Sequence, residues 1–201
     1  KSVEAAYLFD PTPDNKKSVI EGGLQYYRQG IVRRLVINSE GHPAGAVSYP
    51  QCALELWGRG VVKSDLLTFK PSGKFRSNTT GLYSTSSEGE GLAMFLKETG
   101  YKSVACISVH FHLVRCFVAV VSGLIHNGLE RTVLAYALKG VHLDWNEEAT
   151  HSQGLIKARR RDLVLGELRR NFTYCEGGDQ VSARDVLDYL NWRDEAAKKG
   201  A

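Results

Sequence analysis

The chain has 201 residues, 43% of them hydrophobic and 24% charged, and carries a formal net charge of +4. That length favours one domain and is enough to bury a core without disulfide or metal staples. The composition excludes fibrous and disordered classes. The positive excess lies mostly between Lys157 and Arg170, so it is local and gives no reason to expect nucleic acid as a partner.

Val3 to Phe9 predicts a first strand, stopped by Asp10-Pro11-Thr12-Pro13-Asp14. Asn15 to Gln29 predicts a helix, with Val19, Ile20, Leu24 and Tyr27 at helical spacing and Gly30 as its stop. Leu35-Val36-Ile37-Asn38-Ser39 reads as the next strand, left by the polar loop Ser39-Glu40-Gly41-His42-Pro43. A helix over Tyr49 to Arg59 and a strand around Asp65 to Phe69 follow. Thr85 with Glu88 three residues later reads as a capping box for a helix running to Gly100.

The apolar, β-branched run Val104 to Val109 predicts a strand buried on both faces. It enters a helix through His110-Phe111-His112, and that helix continues towards Asn127-Gly128. Thr132 to Leu138 predicts a further strand. His151 to Phe172 predicts one long amphipathic helix, with Leu155, Ile156, Leu163, Leu168 and Phe172 on its apolar side. A capped C-terminal helix begins at Ser182 in a tail of about 180–201 and frays into Lys198-Lys199-Gly200. Strands and helices thus alternate almost from end to end. The expected architecture is a single Rossmann-like α/β domain, a three-layer sandwich with a mostly parallel sheet.

The four cysteines show no C-x-x-C spacing and are expected to be reduced. No run reaches the ~18 apolar residues of a membrane span, and the start carries no signal-peptide pattern, so a cytoplasmic location is expected. The sequence leaves the oligomeric state open.

Chemistry concentrates where the central strand meets its helix, because the carboxyl edge of an open α/β sheet is where ligands bind. On an extended segment His110 and His112 would share a face and reach one ligand; the competing reading packs one and solvates the other. Zinc takes three or four ligands, and His42 would have to arrive from another loop, so no metal is expected. Arg115 falls in the first turn of the following helix, where the dipole already disfavours a cation. An arginine beside free backbone N–H groups suits a phosphate or carboxylate. No G-x-S-x-G elbow surrounds Ser108. Of Arg159-Arg160-Arg161, only one or two can turn inwards.

Several blocks in order resemble the YdcF-like proteins, a family of unknown function that includes the SanA and ElyC type of envelope-associated proteins. Leu35 to Gly41 resembles that family's strand ending in a serine-glycine loop, and Ser84-Thr85 with Glu88 its threonine motif opening a helix. Ile107 to Cys116 is similar to its strand running into Phe-His and then arginine, and Lys157 to Asp162 to its late arginine-acid pair. The resemblance implies a crevice lined by Ser39, Thr85, His112, Arg115 and Arg161, and the matching blocks add Glu40, Gly41, Ser84 and Glu88 as candidate ligand-binding residues. It also implies S-adenosylmethionine as a cofactor to test. The sequence departs from the family at Phe9-Asp10-Pro11, where a glycine-rich turn is usual, and at Glu40, where a second small residue is usual.

Two functions follow as expectations. The first is a hydrolase or transferase acting on a phosphorylated or otherwise anionic small molecule. Arg115 would hold the anion, and His112 or His110 would act as general acid/base near the ordinary histidine pKa of about 6.5. The second is a non-catalytic module binding S-adenosylmethionine or a nucleotide.

Overall fold

The computed structural model describes residues 2–9, 11–40, 49–73, 83–151 and 156–199. Five short strands form a parallel sheet: β1 (Ala5–Leu8), β2 (Leu35–Asn38), β3 (Leu66–Phe69), β4 (Ser103–Ser108) and β5 (Leu134–Lys139). Their spatial order is β3-β2-β1-β4-β5. The chain winds outward from β1 to β3, then crosses back to lay β4 on the other side of β1. The order therefore reverses between β1 and β4, and a crevice opens at such a point beyond the strand ends.

Alternation along the strands fixes the layers. Ala6, Leu8, Leu35, Ile37, Ala105 and Ile107 face α1 (Lys16–Arg28) and α2 (Tyr49–Gly58). Ala5, Tyr7, Phe9, Val36, Val104 and Cys106 face α3 (Thr85–Thr99), α4 (Leu113–His126) and α6 (Ala183–Lys199). Burial on both faces explains why β1 and β4 read as continuous apolar runs. The expected Rossmann-like three-layer sandwich is the fold observed. Cys52, Cys106 and Cys116 are buried thiols, and Cys175 is partly exposed; all four are free. Among the described residues, no helix is long and apolar enough to cross a membrane.

Three local expectations are corrected. First, the box opening α3 is formed by Ser84 and Ser87, not by Thr85 and Glu88. The Ser84 hydroxyl accepts from the Ser87 amide at 3.2 Å, and the Ser87 hydroxyl accepts from the Ser84 amide at 3.3 Å. Glu88 instead accepts the hydroxyl of Tyr7, on β1, at 2.5 Å.

Second, the long helix from His151 does not exist. The strict alternation breaks after β5, where β6 (Glu148–His151) and β7 (Ile156–Arg159) pair antiparallel and α5 (Arg160–Glu176) follows. Ile156 is therefore a strand residue, and Leu155 lies outside the described residues. Third, Leu168 and Phe172 are exposed, whereas Leu163, Glu167 and Arg160 are buried.

The β6–β7 hairpin and α5 form a cap over the carboxyl edge. Its apolar seat is small: Val109, Phe111, Ala149 and Leu163 are its buried members. Polar ties do the rest. The Thr150 amide donates to Asp14 at 2.9 Å, and the Thr12 hydroxyl donates to the Thr150 carbonyl at 3.0 Å. Arg160 donates to the Asn15 side chain at 3.2 Å and to the Asp14 and Asp144 carbonyls at 3.1 and 2.9 Å. The cap is thus stitched to the turn leaving β1 and rests on the turn leaving β4, the two strands that flank the reversal.

Candidate functional site

The turn between β4 and α4 sets the two histidines apart. Residues 110–112 form a tight turn, with the His112 amide donating to the Val109 carbonyl at 3.0 Å. This segment is not extended, so its side chains do not share a face. The His110 ring turns towards His142 and Trp145, with centroids about 6 Å away. Burial, Lys139 and His142 hold its pKa below the ordinary value. His112 turns the other way, under the cap.

There it meets Glu167, near the middle of α5. Glu167 Oε2 accepts from His112 Nδ1 and from Arg115 Nε, the latter at 2.6 Å. Its Oε1 accepts from His151 Nε2, at the end of β6, and from Arg170 one turn along α5. Four donors thus converge on one carboxylate whose side chain is 2% exposed. Burial alone would raise the Glu167 pKa; the two imidazole bonds and the Arg115 charge overcome it and hold the group ionised far below its usual range. Arg115 and His112, three residues apart in sequence, are therefore neighbours in one cluster at the α4 N-terminus.

The cluster has unused capacity in two places. Arg115 spends only Nε on Glu167, and its terminal nitrogens have no acceptor among the described residues. The guanidinium lies over the ring of Tyr174 at 5.7 Å, which fixes its plane. His112 Nε2 is likewise without a partner among the described residues, since Glu167 takes Nδ1. Burial and the neighbouring Arg115 charge push the His112 pKa down to about 4, against the opposing pull of Glu167. Burial also lowers that of His151. Both rings are therefore neutral at pH 7, and the ordinary value expected for His112 is not what the fold gives it.

With neutral imidazoles, the cluster's charges are those of Arg115, Arg170 and Glu167, a net of +1 under a largely closed cap. The helix dipole adds to this positive potential.

His112, His151 and Glu167 also have the donor types of a metal centre, with ligand atoms within 4.8 Å of one another. Their surroundings do not suit one. Both carboxylate oxygens are already held by guanidinium groups, and a divalent ion would raise the local charge from +1 to +3 in a poorly solvated space. An anion would lower it to zero or below.

The remaining expected residues fall in two other places. Ser39, Glu40, Ser84, Thr85 and Glu88 gather around the exits of β2 and β3 and the start of α3. The Ser39 hydroxyl donates to the Phe69 carbonyl at 3.0 Å, and Glu40 accepts from Tyr83 and pairs with Lys70. Thr85 is buried at the first turn of α3. Gly41 and His42 lie outside the described residues. Arg161 does not join the site: it is half exposed and donates to Asn146 at 2.9 Å. Arg160 is the inward arginine of that run, and it holds the cap.

Sequence reasoning missed Glu167 and His151. The signal for Glu167 was an acid four residues after Leu163, on the stripe that carries the helix's buried residue. His151 gave none, because its strand was hidden inside an expected helix. Compared with known protein families and with curated proteins, the chain matches none.

Proposed function

We propose that this chain is an enzyme acting on a phosphorylated or otherwise anionic small molecule at the carboxyl edge of its sheet, as a hydrolase or transferase. One observation carries the reading: two guanidinium groups face one carboxylate, and the terminal nitrogens of Arg115 are left without an acceptor among the described residues. A planar guanidinium with both end nitrogens available matches two oxygens of a phosphate. His112 supplies the second element. Glu167 fixes its Nδ1 as the donor, so Nε2 carries the lone pair. A neutral imidazole oriented in this way is equipped as a general base. At pH 7 it is not equipped as the acid, because it holds no second proton until the pH nears 4. The likeness of the strand-Phe-His-Arg block to YdcF-like proteins supports the same location.

The test pairs binding with turnover. Inorganic phosphate should raise the melting temperature of the wild-type protein, and the rise should be largely lost in Arg115→Lys. Zinc should give no rise. Screened against phosphomonoesters, nucleotides and S-adenosylmethionine, the wild type should turn over a phosphorylated compound. His112→Asn keeps a donor towards Glu167 but removes Nε2; it should bind and fail to turn over, with a loss of 10²–10⁴-fold. If no anion stabilises the protein, or if His112→Asn is fully active, the proposal fails. Stabilisation by S-adenosylmethionine without any product would establish the non-catalytic module instead.

A further inference from the structure

The two faces of α5 carry opposite logic. Arg160, Leu163, Glu167, Arg170 and Tyr174 follow one another at spacings of three and four and turn towards the site. The outer face has its own repeat, Arg161, Leu165, Leu168, Phe172 and Glu176, at spacings of four, three, four and four. At 100° per residue these five fall within about 80° of the helix circumference. Leu165 is 65% exposed, Leu168 42% and Phe172 71%. Three large apolar side chains in one exposed row are more than scattered surface hydrophobics, and such rows mark contacts.

The row is symmetric about its own centre. The midpoint between Leu165 and Phe172 lies between positions 168 and 169, and the charged ends, Arg161 and Glu176, lie equally far from it. A two-fold axis through that point runs a second α5 antiparallel to the first. It sets Leu165 across from the other copy's Phe172, the two Leu168 side chains beside the axis, and Arg161 across from the other copy's Glu176. Among the described residues Glu176 makes no ion pair. Arg161 reaches Asn146 and Asp162 only at the surface. We propose that the outer face of α5 is a self-complementary surface through which two copies of this chain pair antiparallel, with an ion pair at each end of an apolar seam. The like charges that a parallel pairing would bring together, arginine on arginine and glutamate on glutamate, disfavour the other orientation.

The size of the seam sets its strength. The three apolar side chains expose on the order of 300 Å² per copy, well below the roughly 800 Å² per partner of a stable interface. The pairing is therefore reversible and concentration-dependent. It lies on the back of the helix whose front carries Glu167, so it leaves the cluster unobstructed and does not depend on what that cluster binds.

Sedimentation velocity over a wide range of protein concentration tests it. The wild type should shift from monomer towards dimer as concentration rises. Leu168→Asp, at an exposed position, should weaken the dimer at least ~10-fold while its circular dichroism stays that of the wild type. Glu176→Arg and Arg161→Glu should each weaken it about 2- to 10-fold, because each places two like-charged pairs at the seam ends. The combined swap, Arg161→Glu with Glu176→Arg, should recover most of the loss. Recovery in the double variant is specific to the antiparallel register. A wild type that stays monomeric at every concentration overturns the proposal. So does a dimer that is indifferent to Leu168→Asp, or charge swaps whose effects simply add.

Discussion

At the scale of single residues, Glu167 decides the behaviour of everything around it. A buried carboxylate that accepts from two imidazoles and two guanidiniums leaves none of its lone pairs wanting. Removing its charge strands Arg115 in a buried position. Glu167→Gln should therefore destabilise the protein by about 3–5 kcal/mol in urea unfolding, whereas Arg161→Ala, at the half-exposed neighbour outside the cluster, should change stability by no more than ~0.5 kcal/mol. Equal effects would mean that the carboxylate is not the hub. His112 makes a separate, pH-dependent prediction. Its folded pKa of about 4 lies below the ordinary 6.5, so between those values the unfolded chain binds a proton that the folded chain refuses. Stability then rises with pH across that window, by up to about 1.4 kcal/mol per pH unit for this one proton, and is lost as the pH falls from 6.5 towards 4. In an NMR titration the His112 ring should show no protonation above pH 5. A midpoint near 6.5 would put that ring in water and remove the argument for a neutral base.

At the scale of elements, α3 and α4 cross so closely that their backbones touch. A Cβ on Gly89 would stand 2.2 Å from the Ala119 carbonyl oxygen, and one on Gly123 would stand 2.3 Å from that of Gly89. Gly89→Ala should cost at least the ~1–3 kcal/mol of an overpacked core. On α5, by contrast, a Cβ at Gly166 meets nothing nearer than Arg170 at 4.0 Å. Gly166→Ala should therefore raise stability by about 0.5–1 kcal/mol through helix propensity, and chemical denaturation of the two variants should separate them in sign. The contrast shows what could be read from the chain without coordinates. Strands β1, β2 and β4 are legible because burial on both faces leaves unbroken apolar runs, and α4 is legible because its apolar face is wide. The position of the candidate residues at the exit of β4 is legible for the same reason, since a strand that ends in histidines can only present them at the sheet's edge. Helix α5 misled, because its buried stripe is the polar one and its apolar stripe is outside. Hydrophobic periodicity locates the core of a helix only when the partner is apolar, and here the partner is a cluster of charges and imidazoles. The β6–β7 hairpin was hidden by the same error, since strands of four residues contribute little pattern against a long helical run.

At the scale of the whole molecule, two kinds of cohesion meet. The sheet and its flanking helices are held by large apolar clusters on both faces, while the cap shares with the turn leaving β4 a cluster of four buried apolar residues among those described and depends on Arg160, Thr150 and Glu167 for its attachment. Elements with few buried apolar contacts open at lower free energy than the core they rest on. Acid widens that gap. When the cap lifts, His112 and His151 regain contact with water and take up protons at their ordinary value, which the closed cap forbids. Below pH 6.5 each freed imidazole therefore favours the opened state, and among the described residues the two apolar clusters that flank the sheet contain no histidine. In hydrogen exchange corrected for intrinsic rates, residues 148–151 and 156–176 should lose protection between pH 7 and pH 5, while β4 keeps its own. Arg160→Ala should reproduce that pattern at pH 7, because it cuts the cap's ties to Asn15 and to the Asp14 carbonyl without touching the cluster. If the cap and β4 lost protection together in both experiments, the molecule would open as one unit, and the cap could not admit a ligand to Arg115 without unfolding the sheet that positions it.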